Sequence, residues 1–375
     1  MKYRLLEIAD LYREYINQLG NRGNDLSYNE LHRRVLDDCY SESDYIHKYL
    51  QGDYGIETMH IYYNYDLLQR KWDNNPDKDP FSILLRQIKQ FNPDVILVLN
   101  LWFLSVEKIN IIRETLHNQV RFICYHFTGI DDFVKKVFPE YDFVMTGSEY
   151  WAKVTKRYAE KVYVVRHAFE PSILKKLKTK ESVNKPGFAG SIILGNRVHN
   201  NRVDIISALK KNIIEFDYYG RIYGSFFKPR NILEGIKKPI KYIERINTGL
   251  YIKKICQPSV FGLAYYNTLR YYSININIHA EAAASGAGNQ RMFEVTGVGS
   301  CLITDYREEN SELFDIEKEI VVYKNEDELV DKLQYLLKHE EEARKIAERG
   351  QQRTLNEHNY RNKASIIHKY IEEIL

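Results

Sequence analysis

Short apolar strands alternate with amphipathic helical stretches along this chain, and the alternation stops once and then begins again. In the first half, strands are expected near 3–9, 57–63, 94–99, 121–126, 143–146 and 162–165. Helical periodicity falls at 28–50, 81–91, 105–116 and 149–158. Apolar strands with helices between them indicate a mostly parallel sheet covered on both faces. A polar, lysine-rich stretch, KKLKTKESVNKP at 175–186, interrupts the pattern, which restarts at Gly187-Phe-Ala-Gly190. The second half predicts strands near 187–190, 214–219, 260–264, 300–303 and 319–323. Helices are expected near 199–211, 289–297, 326–337 and 340–351, and at 361–374 at the carboxyl end. Two doubly wound α/β domains in tandem follow, with ligands beyond the carboxyl ends of the strands, where two sets of loops can face one cleft.

The size fits two cores: 375 residues at about 150 per domain. Fifty-four Lys and Arg against 51 Asp and Glu leave +3, too weak a field to argue for nucleic acid, so any anion site must be local. Cys39, Cys124, Cys256 and Cys301 lie too far apart for a zinc knuckle or redox pair. The first residues, MKYRLLEIADLYREY, have no apolar leader core, and the longest apolar run, Val95 to Leu104, falls short of the about 20 residues of a membrane helix. A reducing cytoplasm is the expected setting.

Three stretches carry chemistry. After Gly187-Phe-Ala-Gly190 the chain presents Arg197, His199 and Arg202 before a helix, where unpaired amides and an arginine fork suit phosphate; an ordinary strand-to-helix turn is the alternative. The densest run is 277–305, NIHAEAAASGAGNQRMFEVTGVGSCLITD. Here Arg291 and Glu294, three apart, share a helix face near its start, with Met292 and Phe293 on the packed side. A carboxylate there can accept both ribose hydroxyls, while the arginine and helix amides hold a diphosphate; an exposed Arg-Glu pair of little consequence is the alternative. His279 reaches a sugar or phosphate oxygen or is a satisfied core histidine, and Asp305 faces the cleft or caps a helix. In the first half, YHFTGIDD at 125–132 places His126, Asp131 or Asp132 where a base would relieve an acceptor hydroxyl of its proton, one aspartate being the better candidate for a helix cap.

These residues bring a family into view. YYNYDLLQRKW at 62–72, His199 with Arg202, GNQRMFEVTGVGSCLITD at 288–305, and EKEIVVY with IAERGQQRTLNEHNY at 317–323 and 346–360 resemble, in order, the signatures of bacterial glycosyltransferases related to the spore-maturation protein CgeB. The resemblance implies a GT-B architecture of two Rossmann-like domains. The first, residues 1–170, takes the acceptor; the second, 171–358, takes the donor; a terminal helix at 359–375 returns to the first. It implies Glu294 as the ribose glutamate, Arg291 and Asn289 as phosphate-side or donor-positioning residues, and Arg202 as a phosphate partner. One departure stands out: the glutamate that many retaining relatives carry eight residues before the ribose glutamate is here Gly286, with Glu281 as a candidate substitute.

The activity so implied is transfer of a sugar from a UDP, GDP or TDP sugar to an acceptor hydroxyl on a glycan, lipid-linked glycan or protein, in surface-glycan or protein glycosylation. His126, Asp131 and Arg291 are the catalytic candidates. Arg197, His199, Arg202, His279, Asn289, Arg291 and Glu294 are the donor-binding ones. Neither a metal nor a resident cofactor is expected, since no Asp-x-Asp stands at a convincing strand end, and neither is a nucleic-acid partner; association with the inner membrane face stays open. A nicotinamide enzyme is disfavoured because neither half opens with G-x-G-x-x-G and a following acidic residue. A catalytically degenerate binding protein of the same fold is the non-enzymatic alternative, and the missing leader argues against a periplasmic binding protein.

Overall fold

A computed structural model describes residues 2–20, 23–73, 79–178, 182–194, 199–226 and 239–375. The chain divides into two compact units, Met1–Arg166 with Tyr360–Leu375, and His167–Asn359.

The first unit is built on a six-stranded, all-parallel sheet of β1 (Arg4–Ala9), β2 (Glu57–Tyr62), β3 (Val95–Val98), β4 (Arg121–Tyr125), β5 (Phe143–Thr146) and β6 (Val162–Val164), in the order β2-β1-β3-β4-β5-β6. Every residue of β3 is buried, which its uninterrupted Val-Ile-Leu-Val requires of a strand covered on both faces. The stretch read as one helix over 28–50 is two, Tyr28–Asp37 and Tyr45–Tyr54. Between them Cys39, Ser41 and Ser43 adopt positive φ, which no helix continues through. The terminal helix Tyr360–Glu372 belongs to this unit, and its buried Lys363 pairs with Glu42 at 2.8 Å.

The second unit carries β7 (Val183–Ala189), β9 (Asp217–Tyr219), β11 (Cys256–Gln257), β12 (Tyr272–Asn277), β13 (Cys301–Asp305) and β14 (Val321–Tyr323), parallel and ordered β11-β9-β7-β12-β13-β14. A two-stranded ribbon of β8 (Ile192–Ile193) and β10 (Ile222–Tyr223) lies apart from it. Counted within the six-stranded sheet, the order is 3-2-1-4-5-6, the doubly wound Rossmann order, and its direction reverses between β7 and β12. The core joins Phe188, Ile274, Ile276 and Ile303 of the strands to Val203, Ile206, Leu209, Leu333 and Ile346 of the helices.

The strand expected at 260–264 is instead the start of a helix, Gly262–Tyr271, whose buried Gly262, Tyr266 and Leu269 recur at helical spacing. The strand is the next segment, β12, whose Ile-Asn alternation supplies the sheet's central contacts. Its buried asparagines are tolerated because they are paired: Asn275 Nδ2 donates to the Leu269 carbonyl at 2.8 Å and Asn277 Nδ2 to Thr304 Oγ1 at 3.0 Å.

Candidate functional site

The reversal between β7 and β12 opens a crevice at the carboxyl ends of those strands, and the sequence places small or basic residues there. β7 ends at Ala189, and Gly190 follows. A Cβ at Gly190 would stand 3.2 Å from both terminal nitrogens of Arg291 and 3.4 Å from Arg202 Nη1. Two guanidinium groups from two different helices therefore converge on a backbone without a side chain.

Arg202, buried near the start of the helix Asn200–Lys211, spans the reversal itself. Its Nη1 donates to the Ser191 carbonyl beyond β7, and its Nη2 donates to the Ile278 carbonyl beyond β12 at 2.9 Å. Its Nε has no partner, nor has that of Arg291. Burial, and after it the Arg291 charge, bring the Arg202 pKa down to about 9, so it is a cation at neutral pH. His199 precedes the same helix, accepts the Ile193 amide on Nδ1 at 3.2 Å, and has its pKa brought down to about 3 by burial, Arg202 and Arg291. It is neutral. Arg197 lies outside the described residues.

The loop after β12 is shaped by His279. Its backbone amide and its Nδ1 both contact Asp305 Oδ1, at 2.9 and 2.8 Å, and Arg307 clasps Asp305 Oδ2 through Nε at 3.0 Å and Nη2 at 2.8 Å. Burial raises the Asp305 pKa, but His279 and Arg307 outweigh it and hold the carboxyl well below the usual range. The anion fixes the proton of His279 on Nδ1 and leaves Nε2, buried and without a partner, as a hydrogen-bonding group. Glu281 is not spare: its Oε1 accepts the Asn201 amide at 2.7 Å at the first turn of the Asn200–Lys211 helix.

Gly288, at φ 86°, turns the loop into the helix Gln290–Gly297. Asn289 stands at the cap position without capping. Its amide exchanges two hydrogen bonds with Asn277, at 3.0 and 3.1 Å, and so ties the helix start to the end of β12. Met292 and Phe293 are fully buried, as the face assignment requires. Glu294, also buried, accepts the Tyr265 hydroxyl on Oε2 at 2.7 Å. Arg202, His279, Asn289, Arg291 and Glu294 therefore sit within one unit, around two strand ends and two helix starts.

In the first unit, Asp131 is the helix cap: Oδ1 accepts the Val134 amide and Oδ2 accepts Trp102 Nε1, both at 2.8 Å. Asp132 pairs with Lys135 at the surface. His126, at the end of β4, is buried, and burial lowers its pKa to about 4; its Nε2 has no partner. His126 keeps one nitrogen unengaged, whereas both oxygens of Asp131 are taken by hydrogen bonds.

Sequence reasoning passed over Tyr265, Arg307 and Asp10 as site residues. Asp10 follows β1 at the first sheet's own reversal, between β1 and β3, where burial raises its carboxyl pKa against a hydrogen bond from Asn100. The signal for Asp10 and Asn100 was present, since each is the first polar residue after an apolar strand. Tyr265, just beyond the strand expected at 260–264, carried no such signal.

Residues 202–369 match the model of a family described as glycosyl transferase-like. No curated protein matches the chain. Among solved structures it is similar to a glycosyltransferase from Rickettsia africae ESF-5, with 12% identity, TM-score 0.59 and 100% of this chain and 98% of that one covered. It is likewise similar to Anabaena Alr3699/HepE in complex with UDP and glucose, with 11% identity, TM-score 0.60 and coverage of 99% and 100%. TarM gives 11% identity and a TM-score of 0.51 over 80% of this chain and 59% of its own. The fold is that of the GT-B glycosyltransferases.

Proposed function

We propose that this protein transfers a sugar from a nucleoside diphosphate sugar to an acceptor hydroxyl, with the donor held by the second unit. The observation that carries the reading is the pair of cationic guanidinium groups, Arg202 and Arg291, brought together at Gly190 on the Rossmann-ordered sheet. Like charges so placed repel until an anion lies between them, and a diphosphate is such an anion. Glu294, one turn further along the helix of Arg291, takes the ribose hydroxyls. His279 offers its unused Nε2 to the donor. The similarity to a protein that binds UDP and glucose supports a UDP sugar as donor, and the ordered motifs from Tyr62 to Tyr360 support membership of the CgeB-like subfamily.

The chemistry asked of the second unit is electrostatic. As the glycosidic bond to the donor breaks, negative charge grows on the diphosphate, and Arg291 and Arg202 are already aimed at it without reorganising. We assign leaving-group stabilisation to these arginines in place of a metal ion. Among the described residues, no group of three or more His, Cys, Asp and Glu side chains is placed to hold one. The acceptor's proton is assigned to His126 rather than Asp131, on the strength of the hydrogen bonds that already occupy Asp131. Among the described residues no helix is long and apolar enough to cross a membrane.

The test is thermal unfolding with UDP, GDP, TDP and CMP and their sugar conjugates, with magnesium or a chelator, on the wild type and Glu294→Ala. Stabilisation by one diphosphate family, kept in chelator and lost in the variant, is expected. Absence of any shift, with no donor hydrolysis, returns the reading to a degenerate binding protein.

A further inference from the structure

The turn Leu101–Phe103 follows β3, the strand between β1 and β4 in the first sheet, and its three apolar side chains are held in three different ways. Leu101 is buried. Phe103 stacks on Tyr63 with ring centroids 3.6 Å apart. Trp102, between them, is 46% exposed, yet it is tied down: its backbone amide donates to Asn100 Oδ1 at 3.1 Å, and its Nε1 donates to Asp131 Oδ2 at 2.8 Å. Water could satisfy an indole N–H at the surface, so what the Asp131 contact adds is a fixed ring orientation. The ring lies 5.6 Å from that of His126, centroid to centroid. The neighbouring loops repeat the pattern, with Tyr12 after β1 63% exposed and Phe127 after β4 42% exposed. β1, β3 and β4 run parallel side by side, so the three loops leave one edge of the sheet with Trp102 in the middle.

We infer that Trp102 is the platform on which a pyranose of the acceptor stacks, so that the acceptor hydroxyl is carried by a carbohydrate and not by a protein side chain or a lipid alcohol. The inference rests on the assignment of the acceptor's proton to His126 and adds to it a residue and a substrate class. A pyranose has a face of C–H bonds and a rim of hydroxyls. The face packs on an aromatic ring held still, and the rim needs hydrogen-bonding groups beside that ring. Trp102 supplies the first, and His126, whose Nε2 has no partner, supplies the second. A lipid tail would want continuous apolar surface, but the same loops carry Asp10, Asn100, His126 and Asp131 among the rings. A serine or threonine acceptor offers an indole no flat face.

The experiment is saturation-transfer NMR on the full chain, irradiating the aromatic protons of the protein. The probes are the methyl α- and β-glycosides of glucose, galactose, mannose, rhamnose and N-acetylglucosamine, a threonine-containing peptide without aromatic residues, and hexanol. The proteins are the wild type, Trp102→Ala and Trp102→Phe, and melting temperatures of the free proteins report any loss of fold. In the wild type at least one glycoside receives saturation, concentrated on the C–H protons of one ring face. Trp102→Ala weakens its binding about tenfold or more, and Trp102→Phe weakens it less, because phenylalanine keeps a ring but loses the tether to Asp131. A wild type that saturates no glycoside, or only the peptide or the alcohol, overturns the inference, as does saturation that survives Trp102→Ala undiminished. The thermal shift with UDP on the same samples tests the donor site by itself. Its absence beside glycoside saturation that depends on Trp102 overturns the donor assignment while supporting the platform.

Discussion

Replacing Arg291 by glutamine should make the free protein more stable and the liganded protein less so. Arg291 and Arg202 each reach within 3.4 Å of the point where a Gly190 Cβ would stand, so their nearest nitrogens lie no more than about 6.6 Å apart. At an effective dielectric constant near 20, two unit charges at that distance repel by about 2.5 kcal/mol. Arg202 is anchored by two carbonyls and cannot withdraw. Arg291→Gln removes the repulsion and loses some packing of the stem, leaving a net gain of about 1 to 2 kcal/mol, or several degrees in melting temperature for a unit of this size. The same change removes a charged donor to the diphosphate, which costs about 1.5 to 3 kcal/mol of binding. Scanning calorimetry of both proteins, with and without saturating UDP, reads the two effects together. A variant that melts lower than wild type when free, or that is stabilised by UDP as strongly as wild type, refutes the reasoning.

Gly190→Ala should leave the melting temperature within the range of about 1 kcal/mol, because the nearest atoms its methyl meets are the far end of Arg291, yet weaken UDP binding about tenfold or more by displacing that guanidinium; Gly220→Ala, whose Cβ would lie 2.2 Å from the Gly190 carbonyl oxygen, should instead destabilise the fold. Asp305→Asn should lower stability by about 2 kcal/mol, measured by thermal unfolding, since it takes the anion from between His279 and Arg307. Acid should destabilise the protein through its buried histidines. The pKa of His126 is depressed to about 4, so its contribution is present above the unfolded value near 6.5 and is lost as pH falls from there toward 4, about 3 kcal/mol in all. His126→Gln should flatten that limb of the stability–pH curve, and an unchanged limb would remove His126 as its source.

The alternation of strands and helices was legible where a strand is a run of buried apolar residues with no competing period, as Val95–Val98 is. Most candidate donor residues were legible for a related reason: they follow strands at glycine-rich turns, and the GT-B resemblance needed only their order. What the sequence did not disclose is where side chains are already engaged. Glu281 stood in the right loop to replace the glutamate missing at Gly286, but it is bound to the Asn201 amide. Asn289 read as a donor contact, but its amide is exchanged with Asn277. Each pairing joins residues 12 or more positions apart, and nothing local in the sequence records such a partner.

The misread segment at 260–264 had the larger consequence. Aromatic and β-branched residues around it satisfy a strand as well as a helix, and a length of five residues favours neither. The structure gives this segment to the helix Gly262–Tyr271 and moves the strand on to β12, Tyr272–Asn277. That places His279 directly beyond a central strand at the sheet's reversal and brings Tyr265 against Glu294. The Glu294 carboxylate therefore takes a hydrogen bond from this helix, and Tyr265→Phe, which leaves the helix intact and removes one oxygen, is the change that separates that hydrogen bond from the fold.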